Sequence, residues 1–134
     1  MRRAGKVVSH SDAVTLYRIE RPGNERFLIG EAGNVSLKDG DMLFVSFDPA
    51  HAGYFLQKRL DEGYPDVIIA FEVDSSFLRT PRADRVPQRG AKAYPGRPQW
   101  VDRRQCTECY GIPSQYFDQL QRSIIQGTGR IYHP

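Results

Sequence analysis

The chain has 134 residues, 40% hydrophobic and 26% charged, a size and balance that suit one globular domain around one core and exclude wholesale disorder. No apolar run approaches the ~20 residues that span a bilayer, and Met1-Arg2-Arg3 leads into no signal-peptide core, so neither a membrane span nor a cleaved leader is expected. The formal net charge is only +3, but it is unevenly spread: Arg79, Arg82, Arg85, Arg89, Lys92, Arg97, Arg103 and Arg104 are accompanied by Asp84 and Asp102 alone.

Val14 to Glu20 is rich in β-branched and aromatic residues and stops at Arg21-Pro22-Gly23-Asn24, which predicts a strand closed by a turn. Arg26 to Ile29 reads as a short second strand, followed by a polar loop through Gly33-Asn34 and Asp39-Gly40-Asp41. Met42 to Phe47 is apolar except for Ser46 and is closed by Asp48-Pro49, a third strand. Asp48 is a favoured N-cap and Pro49 suits the first helical position, so a helix opens there; Ala52, Phe55, Leu56 and Leu60 mark its inner face and Gly63 ends it. The almost wholly apolar Val67 to Val73 predicts a central strand covered on both faces, ended by Ser75 to Leu78. Pro81, Pro87, Pro95 and Pro98 then predict a long irregular loop, with a short strand at Gln99-Trp100-Val101 and a further loop from Cys106 to Pro113. Ser114 is expected to cap a second helix with Tyr116, Phe117, Leu120 and Ile124 inward, Gly127-Thr128-Gly129 ends it, and the last residues read as a tail. The fold class is α+β: a small mixed or antiparallel β core with two amphipathic helices and a long basic loop.

Several chemistries lack their sequence marks. There is no Gly-x-Gly-x-x-Gly and no phosphate-loop Gly-Lys-Ser/Thr, which excludes the usual dinucleotide and nucleoside-triphosphate cradles. His10, His51 and His133 are scattered, and Cys106-x-x-Cys109 has no second pair, so no metal is expected. A redox pair would open a helix after a strand, whereas Gly111 and Pro113 point to a loop; the cysteines read as two ordinary thiols. The basic stretch, with Tyr94 and Trp100 inside it, fits a solvated loop, an acidic partner or a nucleic acid.

Leu16-Tyr17-Arg18, then Leu43-Phe44-Val45-Ser46-Phe47 with its helix, then a late acidic residue resembles an ADP-ribosyltransferase of the arginine-serine-glutamate type. The blocks Phe44 to Leu60, Val67 to Leu78 and Tyr110 to Gly129 look like the C-terminal toxin domains of Rhs-type bacterial polymorphic toxins, and the resemblance covers most of the chain after Thr15. It implies an ADP-ribosyltransferase-like fold and a secreted antibacterial toxin domain, cut from a larger polypeptide and delivered to the cytoplasm of an attacked cell. The implied activity is transfer of ADP-ribose from NAD to a macromolecule without a metal, and the implied partner is an acidic immunity protein.

The resemblance assigns Arg18, Ser46 and Glu108 as catalytic residues. Arg18 would hold the NAD pyrophosphate through its permanently charged fork, Ser46 would bond the ribose or orient the carboxylate, and Glu108 would stabilise the positive charge that develops on the ribose. Tyr17, Arg18, Ser46, His51 and Tyr54 would bind NAD; Tyr54 is chosen over Phe55 because Phe55 lies on the inner stripe of the helix. Arg79, Arg82, Arg85, Arg89, Lys92 and Arg97 would bind the acceptor, their charge favouring RNA over protein. The family's Gln/Glu-x-Glu pattern is Gln105-Cys106-Thr107-Glu108 here, one residue longer, so Gln115 and Asp102 stand as alternatives to Glu108. Local sequence equally allows Arg18 as a surface strand residue, Ser46 bonded to its own backbone, and Glu108 as a solvated loop carboxylate. A metal-independent toxin nuclease and a non-catalytic basic binding module are the rival functions.

Overall fold

A computed structural model describes residues 12–134; His10 and the Met1-Arg2-Arg3 start lie outside the described residues. The strands are β1 (Ala13–Glu20), β2 (Phe27–Ile29), β3 (Val35–Leu37), β4 (Leu43–Ser46), β5 (Val67–Asp74), β6 (Val86–Pro87), β7 (Gln99–Trp100), β8 (Cys109–Ile112) and β9 (Arg130–Tyr132). The helices are α1 (Pro49–Asp61), α2 (Arg79–Asp84) and α3 (Phe117–Ser123). β2 and β3 form a separate hairpin, and the other strands make one sheet in the order β6-β7-β8-β4-β1-β5-β9, antiparallel except for the β6–β7 pair. The class is α+β, as the sequence predicts.

β1 and β5 are in register along their whole length, from Ala13↔Asp74 to Glu20↔Val67. Alternation places Leu16, Ile69, Phe71 and Val73 on one face, where they join Leu43, Val45, Tyr110 and Ile112 in the main core. The β2–β3 hairpin and α3 supply Phe27, Val35, Phe117 and Leu120 to that core, with the Phe27 and Phe71 rings 4.8 Å apart. Ile68 and Ala70 point to the opposite face, fully buried, and α1 packs against that side of β1, β4 and β5. The prediction of a central strand covered on both faces therefore holds for β5.

Helix α1 starts as its sequence dictates. Asp48 accepts hydrogen bonds from the Ala50 and His51 amides at 3.0 and 3.4 Å, Pro49 occupies the first position, and Gly63 follows with φ +90°. Its inner face follows the expected stripe at Ala52, Phe55 and Leu56, with His51 buried beside them, and departs from it at Leu60, which is 44% exposed. At its far end Asp66 accepts from Arg59 Nε at 2.8 Å and Arg21 Nε at 3.3 Å, and both guanidiniums lie over Tyr64, at 4.0 and 4.3 Å from its ring centre. That cluster ties the ends of β1 and α1 to the start of β5.

Four expectations are corrected. The polar loop after β2 contains β3, whose short Val35-Ser36-Leu37 alternation is completed only by pairing with β2. The proline- and arginine-rich stretch is not wholly irregular: it holds α2, with Pro81 in the first turn where it costs no helical bond, and the edge strand β6, which pairs with the expected short strand β7. The Cys106–Pro113 segment carries β8, which lies in the sheet beside β4; a Cβ at Gly111 would lie 2.7 Å from Met42 Sδ, so Met42 packs over the glycine. The terminal residues form β9, paired with β5, rather than a tail. In addition, Ser114 makes no side-chain cap; a 3-10 turn, Ser114–Tyr116, precedes α3.

Candidate functional site

β1 and β4 pair through one residue couple, Tyr17↔Ser46. Next to that couple Arg18 bridges the strands with its side chain, its Nη1 donating to the Phe44 carbonyl at 2.9 Å. A cavity of 340 Å³ opens at this junction, lined by Tyr17, Arg18 and Ile19 of β1, by Phe44, Val45 and Ser46 of β4, by His51, Ala52 and Phe55 of α1, and by Gln88, Val101 and Cys109. Its size falls in the range of about 300–1,000 Å³ typical of ligand sites, and its wall is mostly apolar with a few polar groups.

Arg18 is held by its neighbours. Glu20, 2% exposed, accepts from Arg18 Nε at 3.3 Å and from the backbone amides of Arg26 and Phe27 at 3.0 and 2.8 Å. One buried carboxylate thus fixes both the guanidinium and the start of the β2–β3 hairpin. Burial lowers the Arg18 pKa from its ordinary value, with Glu20 opposing that shift. The guanidinium keeps further N–H donors beyond these two bonds. Glu20 was read in the sequence only as part of a strand; nothing in its local pattern marked it as the positioning group.

Ser46 lines the cavity and also bonds locally, accepting from the Asp48 amide and donating to the Asp48 carbonyl, each at 3.0 Å. Tyr17 packs edge to face on Tyr132 at 4.9 Å, and burial raises its pKa, with Tyr132 adding to the effect. His51 is 8% exposed, and its ring meets Phe55 edge to face at 4.7 Å. Its Nδ1 lies 3.1 Å from Cys109 Sγ, and its buried Nε2 lies 3.4 Å from Asp102 Oδ2 without forming a directed hydrogen bond.

The cavity therefore collects Tyr17, Arg18, Ser46 and His51. Tyr54 is not among its lining residues; it is 59% exposed, and Phe55, on the inner stripe of α1, stands in the wall instead. Glu108 lies beside Cys109 in sequence but on the other face of the sheet, where it accepts from Arg82 Nε at 2.7 Å and from the Tyr110 hydroxyl. Asp102, which is not a lining residue, reaches the cavity's His51 from behind, its Oδ2 3.4 Å from Nε2, through a turn in which Asp102 takes φ +49°.

The basic residues divide. Arg82 is paired to Glu108; Arg85 lies 3.7 Å over the Trp100 ring centre and donates to Tyr110; Arg97 donates to the Asp84 carbonyl at 2.8 Å. Arg79 and Arg82 line a second, polar concavity with Asp74, Ser75 and Ser76. Arg89 and Lys92 are exposed, on the segment whose Gln88 reaches the cavity.

The two-thiol reading of the cysteines is corrected: Cys106 and Cys109 form a disulfide. β8 begins at Cys109, so the pair spans the turn between two strands, a context that the following glycine and proline concealed. One histidine nitrogen and two sulfurs lie within 4.8 Å of one another, but sulfurs bonded to each other offer no thiolate to a metal. No family model matches this chain, and no curated protein or solved structure is significantly similar to it.

Proposed function

We propose that this domain transfers ADP-ribose from NAD to a macromolecular acceptor, as a toxin domain of the Rhs type with an ADP-ribosyltransferase-like fold. The observation that carries the reading is the convergence of Tyr17, Arg18, Ser46 and His51, residues distant in sequence, on one 340 Å³ cavity. Arg18, pre-positioned by Glu20, is the pyrophosphate clamp, because a fixed guanidinium binds phosphate in a forked, charge-assisted manner. The apolar wall with the His51 and Phe55 rings receives nicotinamide, and Ser46 sits where a ribose hydroxyl would be met. Breaking the nicotinamide–ribose bond builds positive charge on the sugar, and Asp102 is the carboxylate at hand to stabilise it.

RNA is the acceptor favoured by charge. Arg89 and Lys92 flank the segment that delivers Gln88 to the cavity, so an anionic chain held there lies close to the reacting sugar. The same exposed cations suit an acidic immunity protein, and the action belongs in the cytoplasm of an attacked cell. The test incubates the domain with NAD labelled in its adenylate part and a bacterial lysate. Label that enters RNA and is released by RNase supports the full reading; label in protein retains the transfer and changes the acceptor. Absence of macromolecular label overturns it.

A further inference from the structure

We infer that the Cys106–Cys109 disulfide is a reversible redox site opening into the cavity, and that its reduced form presents a Cys109 thiolate paired with the His51 imidazolium. The disulfide does little that the turn does not already do. Trp100 Nε1 donates to the Cys106 carbonyl at 3.3 Å, the Val101 amide to the Cys109 carbonyl at 2.9 Å, and the Gln105 and Cys106 amides to the Asp102 carbonyl at 2.8 and 2.9 Å. A cross-link between residues three apart also closes a very short loop, which restricts the unfolded chain least.

The chemistry around the two sulfurs is unequal. Both cysteines are 2% exposed, but Cys109 lines the cavity. Its Sγ lies 3.1 Å from His51 Nδ1 and 3.2 Å from Ser46 Oγ. As a disulfide sulfur it carries no proton, so it can only accept. His51 is the third residue of the 13-residue α1, so the sulfur also sits at the positive end of that helix. The charged and titratable groups facing it are His51 and Asp48 from the start of α1, Asp102 from the turn, and Tyr17 and Arg18 from β1. A thiolate at Cys109 would have a cation-capable ring at hydrogen-bond distance, with Asp102 beyond it; this is the setting in which thiols become nucleophilic near neutral pH.

The co-reactant is a small thiol or dithiol. Its thiolate enters the cavity and attacks Cys109 Sγ, the Sγ–Sγ bond breaks, and Cys106 leaves with the electron pair and takes up one proton. A second thiolate then attacks the reductant's own sulfur in the mixed disulfide, which releases Cys109 as the thiolate. The second proton rests on His51. Two thiols have become one disulfide, and the protein disulfide has gained two electrons and two protons. This inference does not require NAD chemistry.

The test reduces the folded domain with dithiothreitol, removes the reductant, and follows iodoacetamide labelling of each cysteine by mass spectrometry from pH 5 to 9. Cys109 is expected to react at least about tenfold faster than Cys106 at pH 7, with a profile displaced to lower pH. His51→Gln is expected to abolish the difference, and a glutathione redox buffer is expected to restore the bond. The comparison of two cysteines within the unmodified chain stands whether or not the variant folds. Equal rates with ordinary thiol profiles, a His51 variant that keeps the difference, or a bond that dithiothreitol does not reduce in the folded protein would each overturn the inference. Because the readout uses no NAD, its failure is separate from failure of ADP-ribose transfer.

Discussion

Replacing Arg18 with alanine separates the residue's structural role from its proposed work on NAD. In the folded chain the side chain makes a 3.3 Å bond to Glu20 and a 2.9 Å bond to the Phe44 carbonyl. Hydrogen bonds involving a charged group contribute about 1.5–3 kcal/mol each. Against them stands the cost of holding a guanidinium that is 15% exposed, which alanine removes. Glu20 keeps the Arg26 and Phe27 amides as donors but is left buried without its counter-charge, which adds to the loss. The net loss is therefore about 2–4 kcal/mol, measurable by urea unfolding, which also shows whether the variant is folded before its activity is read. Catalysis loses more: removal of a positioned charge stabiliser costs roughly 100–1,000-fold, or about 2.7–4 kcal/mol of barrier. Arg18→Lys keeps the charge without the fork and falls between. Nicotinamide release from subsaturating NAD is the assay, and a folded Arg18→Ala domain within about threefold of the parent rate would refute the phosphate-clamp assignment.

The other predictions probe different parts of the molecule. Asp102→Asn should lower the transfer rate at least about tenfold, whereas Glu108→Gln, altered on the far face of the sheet, should change it less; the reverse order in the same NAD assay would return the catalytic carboxylate to Glu108. Gly33→Ala should cost about 2–4 kcal/mol in urea unfolding, because Gly33 has φ +76° and its Cβ would meet the Gly127 carbonyl oxygen at 2.7 Å. Gly23→Ala, at φ +89° with open space around it, should cost only about 1–2 kcal/mol, and equal losses at the two sites would show that the close approach carries no energy. Tyr110 is pushed up to about 12 from 10.0, first by burial and then by its hydrogen bond to Glu108. A raised folded pKa means that its contribution to stability is complete below pH 10.0 and is lost as the pH rises through about 12. Tyr110→Phe should flatten that alkaline slope, as followed by circular dichroism.

The parts of the fold legible in sequence are those whose signals are local. β5 announced itself by an unbroken apolar run, and α1 by a cap and a proline whose chemistry concerns the adjacent backbone. β3, β6, β8 and β9 are two to four residues long, and such segments become strands only through the tertiary pairing that a neighbouring strand offers. β9 is the plainest case: Arg130-Ile131-Tyr132 has one apolar residue that is 48% exposed, and its place is set by β5 and by Tyr132 packing on Tyr17. The last position of the inner face of α1 was misplaced for a related reason. Leu60 continues the apolar stripe in sequence, but the turn through Tyr64 and Asp66 brings the helix end to the sheet through Arg59 instead.

The site divides along the same line. Arg18 and Ser46 sit on neighbouring strands and both line the cavity, Ser46 opposite Tyr17 and Arg18 through the side chain that bridges to the Phe44 carbonyl. The carboxylate could not be located that way, because the choice between Asp102 and Glu108 depends on which side of β8 each one reaches. Alternation separates the two: Cys109 turns toward Ser46 and the cavity, which sends Glu108 with Tyr110 to the opposite face. The disulfide follows from the same geometry, since the turn that returns the chain to β8 brings Cys106 back onto Cys109 and Asp102 onto His51. One tight turn thus supplies both the candidate carboxylate and the candidate redox pair, and a one-residue slip of β8 would exchange Cys109 for Glu108 in the cavity wall. Register, which no residue type in this segment announces, is what assigns the chemistry.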